Sequence, residues 1–369
     1  MTFRKWLVLL MAVVFCADAS ARSFTVPPIT IINDGNVNAD PGLAKLNDGR
    51  YIVCYVTGLN QLNATISIKL SSDKGATWSA PTVILTPAAS HTYAGCDLSM
   101  DGAGHILLTT PYETNDGTVA NTLVFVGTVG GGGSITWDAG TNTCANVTGN
   151  FVNVCYSQPN KILVLDNGTW LQGIYNPTVG AYTSAVVACV ACNPSAQVWS
   201  AQTNIATSVA TRYNEIGLVQ LPDHSVIAMI RADGSFTIAG FWRSTSSDRG
   251  ATWSAPSRDI FVGAPGGPDL VLTTNYIYLI SRDSQHTWYW TTKTSPISWS
   301  SEFELSTLNY CYGSGFDAGS DRANAAICLG TFDQNDNIGF WTLTPLNYLL
   351  AHDLDAGNDN SPAWLDRVA

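Results

Sequence analysis

Short apolar runs alternate with polar turn signals along most of the chain. In each repeat an apolar residue and a polar pair, often Asp-Gly or Asn-Gly, precede an alternating apolar run of strand length. The first copy runs from Leu46 to Gly49 before Tyr51-Ile52-Val53, and further copies begin near residues 100, 165, 221, 272 and 318. These spacings of 46 to 65 residues are long enough for one four-stranded sheet per repeat.

A second marker, a tryptophan usually followed by serine, lies 27 to 37 residues after each of the first five turn signals. Its copies are Trp78, Trp137, Trp199, Trp253 and Trp299, and Phe340-Trp341 takes the sixth position. Two alternating markers predict an all-β fold, a six-bladed β-propeller of four-stranded antiparallel blades, because each small sheet then buries both faces against its neighbours. Two β-sandwich domains are the alternative, but no linker is evident near the midpoint.

The composition agrees with a β-rich globular protein and excludes two other classes. Hydrophobic residues make up 46% of the 369 positions and charged residues only 12%, so the chain can bury a large core and is not intrinsically disordered. The formal net charge is −11, from 17 Lys and Arg against 28 Asp and Glu. Because a phosphate backbone selects a basic surface, nucleic-acid binding is not expected.

The first 21 residues have the three parts of a secretory signal. A basic start with Arg4 and Lys5 precedes an apolar run from Trp6 to Phe15, and the small residues up to Ala21 suit cleavage. This run is too short to span a bilayer, which takes about 20 residues. We predict a signal peptide over 1–21, a propeller over 22–347 and a C-terminal tail over 348–369, in a secreted, periplasmic or extracellular protein without a transmembrane segment.

Eight cysteines remain after the predicted cleavage, an even number that favours disulfides in an exported chain. Sequence proximity suggests three pairs and leaves a fourth, although spacing alone does not decide the pairing. The suggested pairs are Cys144–Cys155, Cys189–Cys192, Cys311–Cys328 and Cys54–Cys96. A zinc site on Cys189 and Cys192 is the alternative, but no histidine or second cysteine pair accompanies them. We predict no metal and no cofactor.

Two of the tryptophan markers belong to a longer motif. Residues 71–78 read Ser-Ser-Asp-Lys-Gly-Ala-Thr-Trp, and residues 246–253 read Ser-Ser-Asp-Arg-Gly-Ala-Thr-Trp. The motif resembles the Asp-box, or bacterial neuraminidase repeat, of the sialidase superfamily. Physically it predicts a structural turn, in which aspartate accepts backbone hydrogen bonds, glycine takes a positive φ and tryptophan packs between sheets. The resemblance implies that the box lies on the face away from the active site.

Similarity to retaining sialidases implies three arginines that hold the sugar carboxylate, a tyrosine nucleophile activated by a glutamate, and an aspartate acid/base. A guanidinium fork suits a planar carboxylate, and a neutral tyrosine avoids the repulsion that a carboxylate nucleophile meets beside an anionic sugar. On this pattern Glu215 and Arg231 match the segment with the activating glutamate and one arginine. Arg282 matches a second arginine, and Tyr312 matches the nucleophile, with Tyr310 in reserve.

The first repeat departs from the sialidase pattern. Ala39 occupies the position of the first arginine, and the segment about twenty-five residues later offers no carboxylate for the acid. Asp40, beside the vacant position, is a candidate acid or base, and Arg212 is a candidate source of positive charge. His91 and Asp97, near the start of the second repeat, are further candidates, although a structural role is the simpler explanation for each.

Together these features predict a glycan-acting hydrolase that resembles a retaining exo-α-sialidase. In this hypothesis Tyr312, Glu215 and Asp40 are catalytic, and Arg231, Arg282 and Arg212 bind the substrate. One alternative is another glycosidase, or a lyase for uronate polymers, on the same propeller. The other alternative is a non-catalytic glycan-binding module. The expected partner is a glycan or glycoconjugate, and we expect a monomer.

Overall fold

The structure, a computed structural model, describes residues 22–23 and most of 29–345. Within that range it leaves out 35, 59–62, 158–160, 178–181, 194–195, 235–238, 264, 283–285, 301, 307–311 and 330–336. The predicted signal peptide at 1–21 and the predicted tail at 348–369 lie outside the described residues.

Six antiparallel sheets form the blades of a β-propeller, which confirms the predicted fold class. Two short strands precede blade 1, namely β1 (Arg22–Ser23) and β2 (Ile29–Ile32). Blade 1 contains β3 (Asn38–Lys45), β4 (Tyr51–Thr57), β5 (Thr65–Ser71) and β6 (Thr82–Leu85). Blade 2 contains β7 (His91–Tyr93), β8 (Asp97–Met100), β9 (Ile106–Thr114), β10 (Ala120–Val129), β11 (Ile135–Trp137) and β12 (Thr141–Asn142). Blade 3 contains β13 (Leu163–Val164), β14 (Trp170–Asn176), β15 (Tyr182–Asn193), β16 (Ala196–Trp199) and β17 (Thr203–Ser208).

The second half of the ring follows the same plan. Blade 4 contains β18 (Arg212–Gln220), β19 (Val226–Asp233), β20 (Gly240–Ser246) and β21 (Ser257–Ile260). Blade 5 contains β22 (Asp269–Leu272), β23 (Tyr276–Arg282), β24 (Thr287–Lys293) and β25 (Phe303–Ser306), and β1 adds to it in parallel with β25. Blade 6 contains β26 (Gly313–Gly319), β27 (Arg322–Leu329) and β28 (Asn337–Leu343).

The ring is closed by a strand from the N-terminal end. β2 pairs antiparallel with β28, so the fourth strand of blade 6 comes from the start of the propeller and the other three from its end. The backbone hydrogen bonds of this pair join the two ends of the domain and leave no open sheet edge between them.

The innermost strands of the blades surround the propeller axis. β3, β8, β13, β18, β22 and β26 contact one another in that order, and β26 contacts β3 to complete the circle. We call the face where these strands begin the upper face and the face where they end the lower face. The six predicted turn signals all fall at the lower ends of the inner strands, where tight turns lead into the second strands.

Apolar side chains fill the gaps between neighbouring blades. In the gap between blades 1 and 2, for example, Ile52 and Val56 pack in one cluster with Leu98 and Leu108. Among the described residues there are six such clusters, one for each gap. Second strands such as β4 are therefore buried on both faces, which explains their continuous apolar sequences.

Helical structure is almost absent from the part of the chain that the structure describes. It consists there of two 3-10 turns, Gly131–Gly133 and Gly149–Phe151. None of the described helices has the length and apolar character needed to cross a membrane.

The two Asp-boxes form the same turn at the lower face, between the third and fourth strands of blades 1 and 4. Asp73 accepts hydrogen bonds from the backbone N–H and the hydroxyl of Thr77, at 2.8 and 2.5 Å. Gly75 has a φ of 91°, and the Trp78 indole donates to its carbonyl at 3.1 Å. The box at 246–253 repeats these three distances and the glycine φ. The predicted structural role of the motif agrees with this geometry.

Three of the suggested disulfides are present: Cys54–Cys96, Cys144–Cys155 and Cys189–Cys192. The last pair accounts for the two cysteines that had zinc as an alternative. Cys328 is also disulfide-bonded, and Cys311, its suggested partner, lies outside the described residues.

Candidate active site

Two of the predicted site carboxylates lie on β-bulges near the upper ends of inner strands. In β3 the register with β4 shifts between Ala39 and Gly42, and Asp40 in this bulge has a φ of 48°. In β18 the register with β19 shifts across the segment that contains Glu215. A bulge turns a side chain out of the regular alternation of a strand. Both carboxylates in this way reach Tyr312, which directly precedes β26.

Glu215, Arg231 and Tyr312 form one hydrogen-bonded cluster. The Tyr312 hydroxyl donates to Glu215 Oε1 at 2.7 Å, and Arg231 Nη1 donates to both oxygens of the same carboxylate, at 2.8 and 2.7 Å. Arg231 Nη1 also lies 3.4 Å from the Tyr312 hydroxyl oxygen. A phenol, a base that can take its proton and a cation that can stabilise the phenolate therefore share one site.

Tyr312 is held as a neutral phenol in this environment. Burial, followed by the negative charge of Glu215, raises the pKa of Tyr312. Arg282 and Arg231 act in the opposite direction, and the Arg282 guanidinium carbon lies 4.5 Å from the centre of the Tyr312 ring. A cation over an aromatic face is attracted by the ring quadrupole. The two arginines thus favour the charge that Tyr312 would develop on losing its proton.

The structure brings together five of the six predicted site residues. Asp40 is 5% exposed, and its Oδ1 accepts a hydrogen bond of 3.4 Å from the backbone N–H of Tyr312. Arg282, 8% exposed, ends β23 against the same tyrosine. Whether Asp40 transfers a proton stays a prediction.

Arg212 is the predicted residue that the structure does not bring to this cluster. It begins β18 with an exposed side chain, and its guanidinium carbon lies 5.6 Å from the centre of the Tyr182 ring. Glu215 lies in the bulge of β18 whereas Arg212 lies before it, and counting residues along the sequence could not reveal this bulge. Tyr310, the reserve nucleophile, lies outside the described residues.

Asp233 is a site residue that the sequence analysis missed. Its Oδ1 accepts a hydrogen bond of 3.0 Å from Arg231 Nε, and its Oδ2 accepts one of 2.6 Å from the Asn214 side chain. Asp233 therefore fixes the guanidinium that contacts Glu215. The signal was present, because side chains two positions apart on a strand share one face.

Tyr175 is a second missed residue at the same site. It is half-buried near the upper end of β14, and burial, together with the charges of Glu215 and Tyr312, raises its pKa. Its ring stacks on Tyr156, with centroids 5.6 Å apart. Nothing in the local sequence distinguishes these tyrosines from core tyrosines, so only the fold relates them to the cluster.

A second polar cluster lies on or beside the inner strands that surround the axis. It contains Lys161, Asp269, Asp97 and Ser314. Lys161 Nζ donates hydrogen bonds to Asp269 Oδ2 at 2.9 Å and to the Gly315 carbonyl at 2.7 Å, and it forms an ion pair with Asp269 Oδ1 at 2.8 Å. Asp97 accepts a hydrogen bond of 2.8 Å from the Ser314 hydroxyl. Burial and the nearby charge of Asp269 raise the pKa of Asp97 to about 7.

No group of three or more histidine, cysteine or carboxylate side chains suited to a metal ion occurs in the described ranges. His91, a further candidate from the sequence, stacks on Tyr112 with ring centroids 4.7 Å apart. The cluster itself contains a phenol, carboxylates and guanidinium groups.

The fold and this constellation define a class of protein, a sialidase-superfamily β-propeller. The family model for the BNR repeat-like domain matches residues 49–280, and the chain belongs to this family.

Solved structures with the same fold include a protein of unknown function and several enzymes. The chain is similar to a Dyadobacter fermentans protein of unknown function (15% identity, 88% of this chain and 99% of that chain, TM-score 0.70). It is also similar to the intramolecular trans-sialidase from Ruminococcus gnavus in complex with oseltamivir carboxylate (10% identity, 89% and 98%, TM-score 0.65). A third is Penicillium chrysogenum α-L-arabinanase complexed with arabinobiose (14% identity, 88% and 98%, TM-score 0.61). A comparison with curated proteins finds no match.

Proposed function

We propose that the protein is a secreted, retaining glycoside hydrolase with Tyr312 as its nucleophile and Glu215 as the base that activates it. The observation that carries the proposal is the 2.7 Å hydrogen bond from the Tyr312 hydroxyl to Glu215, beside two arginines. The resemblance to sialidase and arabinanase structures supports a glycoside-hydrolase-like propeller. The disulfides support an exported protein, because they persist in oxidising compartments.

In the first step the Tyr312 oxygen attacks the anomeric carbon of the substrate while Glu215 takes the phenolic proton. The bond from that carbon to the leaving oxygen breaks, and the leaving oxygen takes a proton from an acid. Water then attacks the glycosyl-tyrosine, and Tyr312 leaves as a phenolate that recovers its proton from Glu215. Two displacements retain the anomeric configuration.

The neighbouring groups have positioning and electrostatic roles in this proposal. Arg231, held by Asp233, stabilises the developing phenolate, and Arg282 supports it from above the ring. Asp40 orients Tyr312 through its backbone N–H and remains a candidate for proton transfer. Arg231 and Arg282 are the predicted ligands of a substrate carboxylate.

An α-sialoside is the first substrate to test, because a neutral nucleophile suits an anionic sugar. One observation favours a neutral glycoside as the second. Arg231 already pairs with Glu215 and Asp233, and Ala39 stands where sialidases have a further arginine. With Glu215, Asp233 and Asp40 against two arginines, the ionised cluster carries one net negative charge.

A trapping experiment tests the proposal. The protein is assayed on fluorogenic glycosides of sialic acid, arabinofuranose and common neutral hexoses, and the sugar that is cleaved is used as its activated fluoro-glycoside. We expect a covalent adduct on Tyr312, identified by peptide mass spectrometry and absent in Tyr312→Phe. Tyr276→Phe is the matched control, because Tyr276 lies at the lower face. An adduct on a carboxylate, or turnover by Tyr312→Phe at the wild-type rate, would refute the mechanism.

A further inference from the structure

A second tyrosine–carboxylate pair lies next to the proposed nucleophile and has no part in the mechanism so far. The Tyr156 hydroxyl donates a hydrogen bond of 2.8 Å to Glu113 Oε2. Glu113 is half-buried near the upper end of β9. Among the described residues, this is the one hydrogen bond recorded for its carboxylate, and the other oxygen is left for a further partner.

Tyr175 links this pair to the catalytic cluster. Its ring stacks on Tyr156, and the charges of Glu215, Tyr312 and Arg231 act on its pKa. Glu113 is thus separated from the nucleophile by the two stacked tyrosines. Blades 2 and 3 and the segment between them supply these residues, blades 4 to 6 supply Glu215, Arg231, Arg282 and Tyr312, and blade 1 supplies Asp40. We call the upper-face site that these residues form the pocket.

The backbone around Tyr156 is fixed in several ways. Tyr156 and Tyr175 exchange two backbone hydrogen bonds, of 3.1 and 2.8 Å. The preceding Cys155 is bonded to Cys144, and its N–H donates to the carbonyl of Ala120, the residue opposite Glu113 in the sheet. A catalytic carboxylate requires this kind of support, because small errors in position reduce the rate strongly.

The reaction requires one group that neither Glu215 nor Tyr312 can supply, a proton donor to the leaving oxygen. Glu215 is committed to the phenolic proton. Asp40 is buried and faces the backbone of the nucleophile. Glu113 is accessible, is located at the pocket by Tyr156 and has an uncommitted oxygen.

We propose that Glu113 is the general acid/base of this site and that Tyr156 positions it, an inference that rests on the proposed function. In the first step the Glu113 carboxyl proton moves to the leaving oxygen as the bond from the anomeric carbon breaks. In the second step the Glu113 carboxylate removes a proton from the attacking water, whose oxygen bonds to the anomeric carbon as Tyr312 leaves. Each proton lost in one step is recovered in the other.

The test compares two glycosides of the sugar that the wild-type protein cleaves, one with a 4-methylumbelliferyl and one with an ethyl leaving group. The umbelliferyl group leaves as a weakly basic phenolate without protonation, whereas the strongly basic ethoxide does not. We expect Glu113→Gln to lower kcat/KM for the ethyl glycoside about 10²–10⁴-fold and for the umbelliferyl glycoside less than about tenfold. Tyr156→Phe keeps the stacked ring but removes the hydroxyl that contacts Glu113. It should also lower kcat/KM more for the ethyl glycoside than for the umbelliferyl glycoside, but by a smaller factor than Glu113→Gln.

Rescue by a small anion adds a readout that a structural role would not move. Azide can replace water as the attacking nucleophile in the second step, and it has no proton that a base must remove. In Glu113→Ala it should therefore raise the turnover of the umbelliferyl glycoside and give a glycosyl azide of retained configuration. Glu302→Gln is the matched control, because Glu302 is exposed and lies outside the pocket.

The failures of the two proposals are distinguishable. Suppose that the wild-type protein forms the Tyr312 adduct. Equal losses of Glu113→Gln on both glycosides, or no loss on either, would then overturn the role of Glu113 and leave the nucleophile assigned. The same leaving-group bias in Asp40→Asn but not in Glu113→Gln would give the role to Asp40. Absence of glycoside turnover by the wild-type protein would overturn both proposals.

Discussion

The two faces of the propeller use aspartate and glutamate in opposite ways. At the lower face, Asp73 and Asp248 form all their recorded hydrogen bonds within their own eight-residue boxes, and these bonds lower their pKa to about 2. Along the axis, Asp97 contacts Ser314 of another blade, and its pKa is raised. At the upper face, Glu215 contacts Tyr312 across the ring.

The difference shows how the environment decides the work of a carboxylate. A turn that supplies backbone N–H groups stabilises the charged form and makes the aspartate a structural acceptor. Burial opposes ionisation, so a carboxylate on the axis or in the pocket needs cations and donors from several blades. We therefore expect changes at the upper face to affect catalysis and changes at the lower face to affect stability.

The largest expected effect is on catalysis at the upper face. Glu215→Gln keeps the side-chain volume but removes the base that accepts the Tyr312 proton, so we expect kcat to fall about 10²–10⁴-fold. Asp248→Asn, at the lower face, should leave kcat within twofold of the wild-type value. Both are measured on the best glycoside of the panel. Similar losses in the two variants would remove the functional contrast between the faces.

The next effect concerns the pH dependence of stability. Asp97 keeps its proton up to about pH 7 in the folded state, but releases it near pH 4 when unfolded. The free energy of unfolding should therefore fall as the pH rises from about 4 to about 7, by at most about 4 kcal/mol. Asp97→Asn should remove this decrease, as measured by urea unfolding at pH 4, 5.5, 7 and 8.

The Asp-box provides the opposite sign as a control. Because the pKa of Asp73 is lowered to about 2, its contribution is complete above about pH 4 and is lost as the pH falls toward 2. Asp73→Asn should lower the free energy of unfolding by a constant amount above about pH 4 and change its pH dependence only in this acid range. Parallel pH profiles for the wild-type protein and Asp97→Asn would contradict the account of the axis.

A smaller effect is expected from glycine at the lower face. Gly75 has a φ of 91°, and a Cβ there would lie 2.7 Å from the Phe340 ring of blade 6. Gly49 has a φ of 90°, but no atom lies within 4 Å of its Cβ position. We expect Gly75→Ala to lower the free energy of unfolding by roughly 1–3 kcal/mol more than Gly49→Ala. Equal losses of unfolding free energy in the two variants would show that the positive φ alone, and not the contact with Phe340, accounts for the requirement for glycine at position 75.

The smallest effect is expected at Arg212, the predicted ligand that lies apart from the cluster. Arg212→Ala should change kcat/KM less than about threefold, since its side chain is exposed beside Tyr182. Arg282→Ala should lower kcat/KM tenfold or more, because it removes the cation over the nucleophile. Initial rates at low substrate concentration measure both. A larger loss for Arg212→Ala than for Arg282→Ala would place the substrate outside the proposed pocket.

Local sequence was sufficient for the repeat and for part of the site. The six turn signals and the Asp-boxes depend on contacts within a few residues, so their pattern predicted the blades and the lower-face turns. Glu215, Arg231, Arg282 and Tyr312 were identified from segments that resemble sialidases, and the structure brings these four together. Glu113, Tyr156 and Tyr175 carry no such signal, because their neighbours in the sequence are not their neighbours in the pocket.

The sequence by itself determined that the chain would build small sheets, where each sheet would turn and which residues would fill the gaps, because these properties follow from periodicity and turn chemistry. Only the tertiary structure decided which blades face each other across the axis, that β2 closes the ring and that bulges direct Asp40 and Glu215 to Tyr312. These outcomes depend on contacts between residues far apart in the sequence, 272 positions in the case of Asp40 and Tyr312. Residues so far apart in the sequence come into contact only when the whole ring has closed.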